Sequence, residues 1–173
     1  MRAVGGTLVK HYREMAFMGF IPVLLNLRTI LNNMKTCQED IRRYQPDVVI
    51  LIDYPGFNLK IAKYVKTQLG LPVYYYISPR YGLETIPHQD FRRYVDRMFC
   101  ILPFETEFFR KLNYSVDYVG NPSVDSVAYY KEHQAIPKDT FIKEEGLANK
   151  PILALLSGSR KQEIKDNLPT MLK

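Results

Sequence analysis

Apolar residues recur at helical spacing after Pro22, which a first helical turn tolerates: Val23, Leu24, Leu27, Ile30, Leu31, Met34 and Ile41 follow, and the run ends before Pro46. The period then changes. Residues 47–52 (Asp-Val-Val-Ile-Leu-Ile) form a short β-branched run expected as a buried strand. A loop with Pro55 and Gly56 leads into residues 57–69, a predicted helix carrying Leu59, Ala62, Val65 and Leu69 on one face and stopped by Gly70. Further strands are predicted at 72–77, 98–102, 116–119 and 151–156. Helices are predicted at 91–97, 104–112, 137–145 and from Lys161 onward.

Strand and helix in alternation predict an α/β fold, a doubly wound parallel sheet covered on both faces, because parallel neighbours need crossover connections and helices supply them. Residues 121–150 read as a connection between domains, and the strand at 151–156 then opens a second α/β domain. That second domain stops at Lys173 after one βα unit, which cannot bury its own apolar face. Either the unit completes the first sheet or the chain is a piece of a larger protein, since two such domains take ~300 residues at ~150 each.

Composition narrows the class. With 46% hydrophobic and 24% charged residues, disordered, collagen-like and coiled-coil readings are excluded. Cys37 and Cys100 are too few and too far apart for a disulfide framework or a zinc site, which fits a reducing compartment. The apolar stretch 15–27 is broken by Gly19 and Pro22 and is shorter than the ~20 residues of a spanning helix. No export signal opens the chain, so the expected location is cytoplasmic. A net charge of +6 favours anionic partners such as nucleotides, phosphosugars, nucleic acid or an acidic membrane surface. Arg92, Arg93 and Tyr94 lack any accompanying RNA-binding motif and read as a solvated helix face, so nucleic acid is not expected. His11, His88 and His133 are scattered without ligand spacing, and no metal is expected.

Ligands of open parallel sheets sit outside the carboxyl ends of the strands. The segments that follow the five predicted strands are Asp53 to Asn58, Ser78-Pro79-Arg80, Pro103-Phe104-Glu105, Gly120-Asn121-Pro122 and Ser157-Gly158-Ser159-Arg160. The last opens a helix, where free N–H groups, an approachable Gly158, the Ser159 hydroxyl and the Arg160 fork suit a phosphate; the competing reading is an N-cap Ser159 beside a solvated arginine. Asp53 ends an apolar strand and is placed either as a general base at the rim or as a turn aspartate before Pro55-Gly56. Glu105 reads as a first-turn helix glutamate. Asn121 reads as a turn residue whose rim position allows a ligand amide.

Six motifs in order carry a resemblance over nearly the whole chain. They are Phe17-Met18-Gly19-Phe20, Pro46 to Asn58, Tyr76-Ile77-Ser78-Pro79, Ile101 to Glu105, Tyr118 to Pro122, and Leu155 to Arg160. Together they resemble the lipid-A-disaccharide synthase family. The resemblance implies a two-domain glycosyltransferase of the GT-B type, with a Rossmann-like acceptor-side domain at 1–120 that lacks its first strand, a connection at 121–150, and at 151–173 the first βα unit of a nucleotide-sugar domain. It implies inverting transfer from UDP-2,3-diacylglucosamine to the 6-hydroxyl of 2,3-diacylglucosamine 1-phosphate, releasing UDP, at the cytoplasmic face of the inner membrane, without metal or cofactor. Matched residue by residue, it makes Asp53 the catalytic base and puts Arg160, with Gly158 and Ser159, at the donor phosphates. Asn58, Ser78, Gly120 and Asn121 are then substrate-binding rim residues. Residues 15–31 are either a membrane- or acyl-facing surface or an ordinary buried helix.

The chain departs from the family pattern in three places. A preceding strand with its Gly-Glu-x-Ser-Gly-Asp loop and a following uridine-binding half are missing, so residues 1–173 alone are expected to be inactive. The Trp-Ala-Trp expected after Ser78-Pro79 is replaced by residues 80–90, in a chain with no tryptophan at all. One back-translation of residues 82–89, read one base later, gives Ala-Trp-Lys-Arg-Tyr-Arg-Ile-Lys, so 80–90 is read as a locally frame-shifted segment, which the nucleotide sequence tests. The alternatives are another UDP-sugar enzyme, an epimerase or a cell-wall glycosyltransferase, and a noncatalytic α/β module holding a phosphorylated metabolite.

Overall fold

The computed structural model describes residues 2–11, 27–78, 88–147 and 151–173. Two compact units divide the chain, Met1–Ser123 and Val124–Lys173.

In the first unit, helix α1 (Leu27–Tyr44) turns Met34, Cys37 and Ile41 onto the core at helical spacing. Of the stretch expected to face lipid or core, residues 15–26 lie outside the described residues, and Leu27 and Leu31 are about half exposed. Strand β1 (Val49–Ile52) is followed by α2 (Pro55–Tyr64), which starts two residues before its predicted position because Pro55 is already shaped for a first helical turn. A π turn (Val65–Leu69) continues α2 as far as Gly70, whose φ of 66° ends it. Then come β2 (Val73–Tyr76), α3 (His88–Tyr94), β3 (Arg97–Cys100), α4 (Pro103–Lys111) and the two-residue β4 (Asp117–Tyr118). The frame-shift reading of residues 80–90 falls largely on 79–87, outside the described residues.

The four strands among the described residues are parallel and lie in the order β1-β2-β3-β4, with Leu51 beside Tyr75, Tyr75 beside Met98 and Cys100 beside Tyr118. The sheet flanked by helices bears out the α/β, Rossmann-like class. Strand order also explains where the core sits. Strands added in one direction by right-handed crossovers place their helices on one face, and only a reversal of direction brings helices to the other. Val49, Leu51, Val73, Tyr75 and Met98 accordingly form one core cluster with Phe57, Ile61, Ala62, Val65, Phe91 and Phe109 from the helices. On the opposite face Ile50 and Ile52 are each 57% exposed, although their sequence reads as a fully buried strand. Arg97 lies over the Tyr74 and Phe99 rings there and pairs with Asp117 at 2.9 Å.

One ion pair ties the lower edge of this unit together. Asp96 accepts from the Val73 N–H at 2.7 Å and from Lys66 Nζ at 2.7 and 2.9 Å. Partial burial works against its charge, but the bonds from Lys66 and Val73 outweigh it and hold the carboxyl below its ordinary 3.8. A lowered folded-state value contributes stability above the ordinary carboxylate range and loses it as pH falls through the folded value. Asp96→Asn is therefore expected to lower urea stability at about pH 7, and the gap to the parent is expected to close toward about pH 3. A gap independent of pH would remove the charge from the account.

In the second unit α5 (Pro122–His133) begins at the boundary, followed by α6 (Lys138–Glu144) and α7 (Lys161–Met171), and none of the three buries a residue fully. Helix α5 fills the first part of 121–150, the stretch read as a connection between domains. It starts where the sequence reads as a turn, with the Asn121 side-chain oxygen accepting the Ser123 N–H at 3.0 Å and Pro122 in the first helical turn. The strand predicted at 151–156 is not formed. Those residues carry no strand, and Ile152, Leu153, Leu155 and Leu156 are exposed. A β-branched run becomes a parallel strand only against neighbours that complete its hydrogen bonds, and the four-stranded sheet does not include it.

Candidate functional site

The carboxyl ends of β1, β2 and β4 lie along one edge of the parallel sheet, which puts Asp53, Ser78 and Gly120-Asn121 on the same rim. The backbone is most constrained where β1 ends. Asp53 (φ 48°) and Tyr54 (φ 48°, ψ 59°) are both left-handed, and Ile77 beyond β2 has φ 66°. A non-glycine residue in that region costs roughly 1–2 kcal/mol, least for Asp and most for a β-branched residue such as Ile. Such strain persists only where neighbouring groups fix it, and it collects at functional sites.

The fixing groups are visible. Asp53 N donates to the Tyr76 carbonyl at 2.9 Å, extending the β1–β2 ladder one residue past the strand. The Asp53 carbonyl accepts from the Tyr75 hydroxyl at 2.6 Å and from Asn58 Nδ2 at 2.6 Å. Asn58 Nδ2 also donates to the Ile52 carbonyl at 3.0 Å. Tyr54 stacks on Phe57 at 5.8 Å. The Asp53 side chain itself is exposed at the edge. Burial and, secondarily, the Asp53 carboxylate push the Tyr75 phenol above its ordinary value of 10, against the opposing bond from Asn58, so the phenol remains a donor at neutral pH.

Asn58 donates its amide hydrogens to the Ile52 carbonyl and to the Asp53 carbonyl that Tyr75 also reaches, so it braces the left-handed turn. Ser78 is 2% exposed, and its hydroxyl donates to Glu105 Oε1. Glu105, 5% exposed, also accepts the N–H groups of Ile101 (3.1 Å) and Leu102 (2.7 Å), so it is the helix-start glutamate that its position predicted, with a buried tie to β2 added. Gly120 (φ 88°) makes the turn into α5, and the Asn121 side-chain Oδ1 caps that helix by accepting the Ser123 N–H.

The second unit holds the other predicted group. Ser159 N and Arg160 N both donate to Glu163 Oε2 at 3.1 Å, and Arg160 Nη1 donates to Glu163 Oε1 at 2.6 Å. The N–H groups and guanidinium expected to meet a phosphate thus meet a carboxylate from their own helix. Gly158, with φ 112°, is required by that carboxylate. A Cβ there would lie 2.7 Å from both Glu163 Cβ and Oε2. Bonds from Arg160 and Ser159 hold the Glu163 carboxyl below its ordinary value. Sequence reasoning missed Tyr75 and Glu163. An acidic residue three positions after a helix start was signal enough for Glu163, whereas nothing local distinguishes Tyr75 from its neighbours Tyr74 and Tyr76.

No helix among the described residues is long and apolar enough to cross a membrane. A family model described as lipid-A-disaccharide synthetase matches residues 1–173. The chain is 40% identical over 184 aligned residues to the lipid-A-disaccharide synthase of Myxococcus xanthus (strain DK1622), covering 99% of this chain and 44% of that protein. It is 39% identical to the enzyme of the same name from Syntrophus aciditrophicus (strain SB), over 100% of this chain and 44% of the relative. It is 34% identical to that of Coxiella burnetii (strain Dugway 5J108-111), over 99% of this chain and 45% of the relative. The chain therefore spans somewhat less than half the length of the curated relatives it matches. With a match of this extent on a Rossmann-like sheet, the chain belongs to the lipid-A-disaccharide synthase family.

Proposed function

We propose that residues 1–173 supply the acceptor-side part of an inverting GT-B glycosyltransferase that joins UDP-2,3-diacylglucosamine to 2,3-diacylglucosamine 1-phosphate, giving lipid A disaccharide 1-phosphate and UDP. The family match along the whole chain carries this reading. Asp53 removes the proton from the acceptor 6-hydroxyl as that oxygen attacks the donor's anomeric carbon. The bond to the UDP oxygen breaks in the same displacement, and the configuration inverts. An exposed carboxylate at the carboxyl edge of a parallel sheet, on a turn fixed by its neighbours, suits that task. In the second unit Arg160 and the Ser159 N–H receive the donor diphosphate, with Gly158 beside them. Glu163 occupies those donors as an exposed pair, and a diphosphate offering bidentate geometry competes well against a solvated carboxylate. Gly120 and Asn121 border the acceptor. The enzyme works at the cytoplasmic face of the inner membrane, bound peripherally, with no nucleic-acid partner and without metal or cofactor.

The test is complementation. UDP release is measured from both lipid substrates for residues 1–173 alone and with the remaining part of the M. xanthus relative supplied. The expected result is no turnover alone and turnover with the complement. Equal turnover with plain UDP-glucosamine as donor would move the chain to another class of UDP-sugar enzyme.

A further inference from the structure

The Tyr75 ring lies fully inside the core, held edge-on by Phe91 at 5.2 Å and 74°. With the ring fixed, the hydroxyl has one place to be. A buried tyrosine hydroxyl needs a partner, and this one takes the carbonyl of the left-handed Asp53 rather than that of a regular strand residue. Asn58 reaches the same oxygen from the first turn of α2. A carbonyl oxygen has two lone pairs, so both of its acceptor positions are filled, each at 2.6 Å. One donor is anchored in the core and the other on a helix. The turn between them cannot relax to an ordinary strand end without breaking both bonds.

We propose that Tyr75 and Asn58 are positioning residues, a two-donor clasp on the Asp53 carbonyl that holds the Asp53-Tyr54 turn left-handed and so fixes where the Asp53 carboxylate stands. The proposal rests on the reading of Asp53 as the base. It assigns Asn58 a backbone-holding role in place of a substrate contact.

The first measurement uses the 173-residue chain itself. Amide hydrogen exchange at Asp53 and the positive-φ backbone signature at Asp53 and Tyr54 are followed by NMR in Tyr75→Phe and Asn58→Ala. The expected result is exchange at Asp53 faster by at least tenfold in both variants, with loss of the left-handed signature, while core amides such as that of Ile61 keep their protection. Unchanged Asp53 exchange and signature in both variants overturns the clasp.

The second measurement uses the complemented enzyme. Misplacing a reacting group by about 1 Å costs up to ~10²-fold, so kcat is expected to fall ten- to a hundredfold in Tyr75→Phe with KM unchanged. In an Asp53→Asn background the same substitution is expected to be silent, because it acts through Asp53. A rise in KM in Asn58→Ala at unchanged kcat would return Asn58 to substrate contact and end its assignment here. The two readings fail differently. If Asp53→Asn leaves turnover intact, the base assignment falls while the NMR result still stands. If Asp53→Asn abolishes turnover and Tyr75→Phe changes neither kcat nor Asp53 exchange, the clasp falls and the base stands.

Discussion

Asp53→Asn is expected to lower kcat of the complemented enzyme by ~10²–10⁴-fold, the usual contribution of a positioned general base, with little change in donor affinity. The size of the effect can be read cleanly because the substitution spares the structure around it. Every hydrogen bond described at Asp53 runs through its backbone: the N–H to Tyr76, and the carbonyl from Tyr75 and Asn58. Asparagine is at least as comfortable as aspartate at φ 48°, so the left-handed turn should survive. The side chain is exposed, so the change of stability in the 173-residue chain should stay within about 0.5 kcal/mol. What is lost is the ability to take a proton. Turnover reduced less than tenfold would show that another group removes it.

The largest stability effect is expected from Glu105→Ala, at about 2–4 kcal/mol by denaturant unfolding. Its carboxylate accepts three hydrogen bonds from within the fold: the N–H groups of Ile101 and Leu102 and the Ser78 hydroxyl. Truncation leaves those donors short of an acceptor at a position that is 5% exposed, beside a serine that is 2% exposed, where water cannot easily replace the lost oxygens. Each buried donor left unsatisfied costs roughly 1–3 kcal/mol, and the effects overlap because the three share one carboxylate. Helix α4 also loses the anion at its first turn. Glu105→Gln keeps one acceptor oxygen and should cost clearly less. Ser78→Ala takes one donor from Glu105 Oε1 but leaves both N–H bonds to Oε2 in place, and is expected to cost less than Glu105→Ala. Equal losses in all three would mean that packing, and not the carboxylate, holds this corner.

The second unit shows how a motif can be legible while its occupant is not. Ser157-Gly158-Ser159-Arg160 before a helix predicts an anion at its N-terminus, and an anion is there. It is Glu163 from the same helix. Both readings use the same N–H groups and the same arginine, and the choice between an internal carboxylate and an external phosphate is a matter of competition that residue types do not decide.

From the chain alone came the order of elements as far as β4, the parallel sheet, the helix stops at Pro46 and Gly70, and the rim on which Asp53, Ser78 and Asn121 gather. These follow from local periodicity and from the rule that parallel strands need crossovers, both of which are written residue by residue. Tertiary structure alone decided which donors are already engaged. The Ser78 hydroxyl goes to Glu105, 27 residues further on, and the Asp53 carbonyl that Asn58 reaches locally also takes the hydroxyl of Tyr75, 22 residues further on; folding alone brings those distant groups together. It also decided that Ile50 and Ile52 stay exposed and that 151–156 forms no strand. A hydrophobic pattern records that a segment can be buried, but burial is a relation between segments, and it is set by the direction in which strands are added and by which neighbours are present to close their hydrogen bonds.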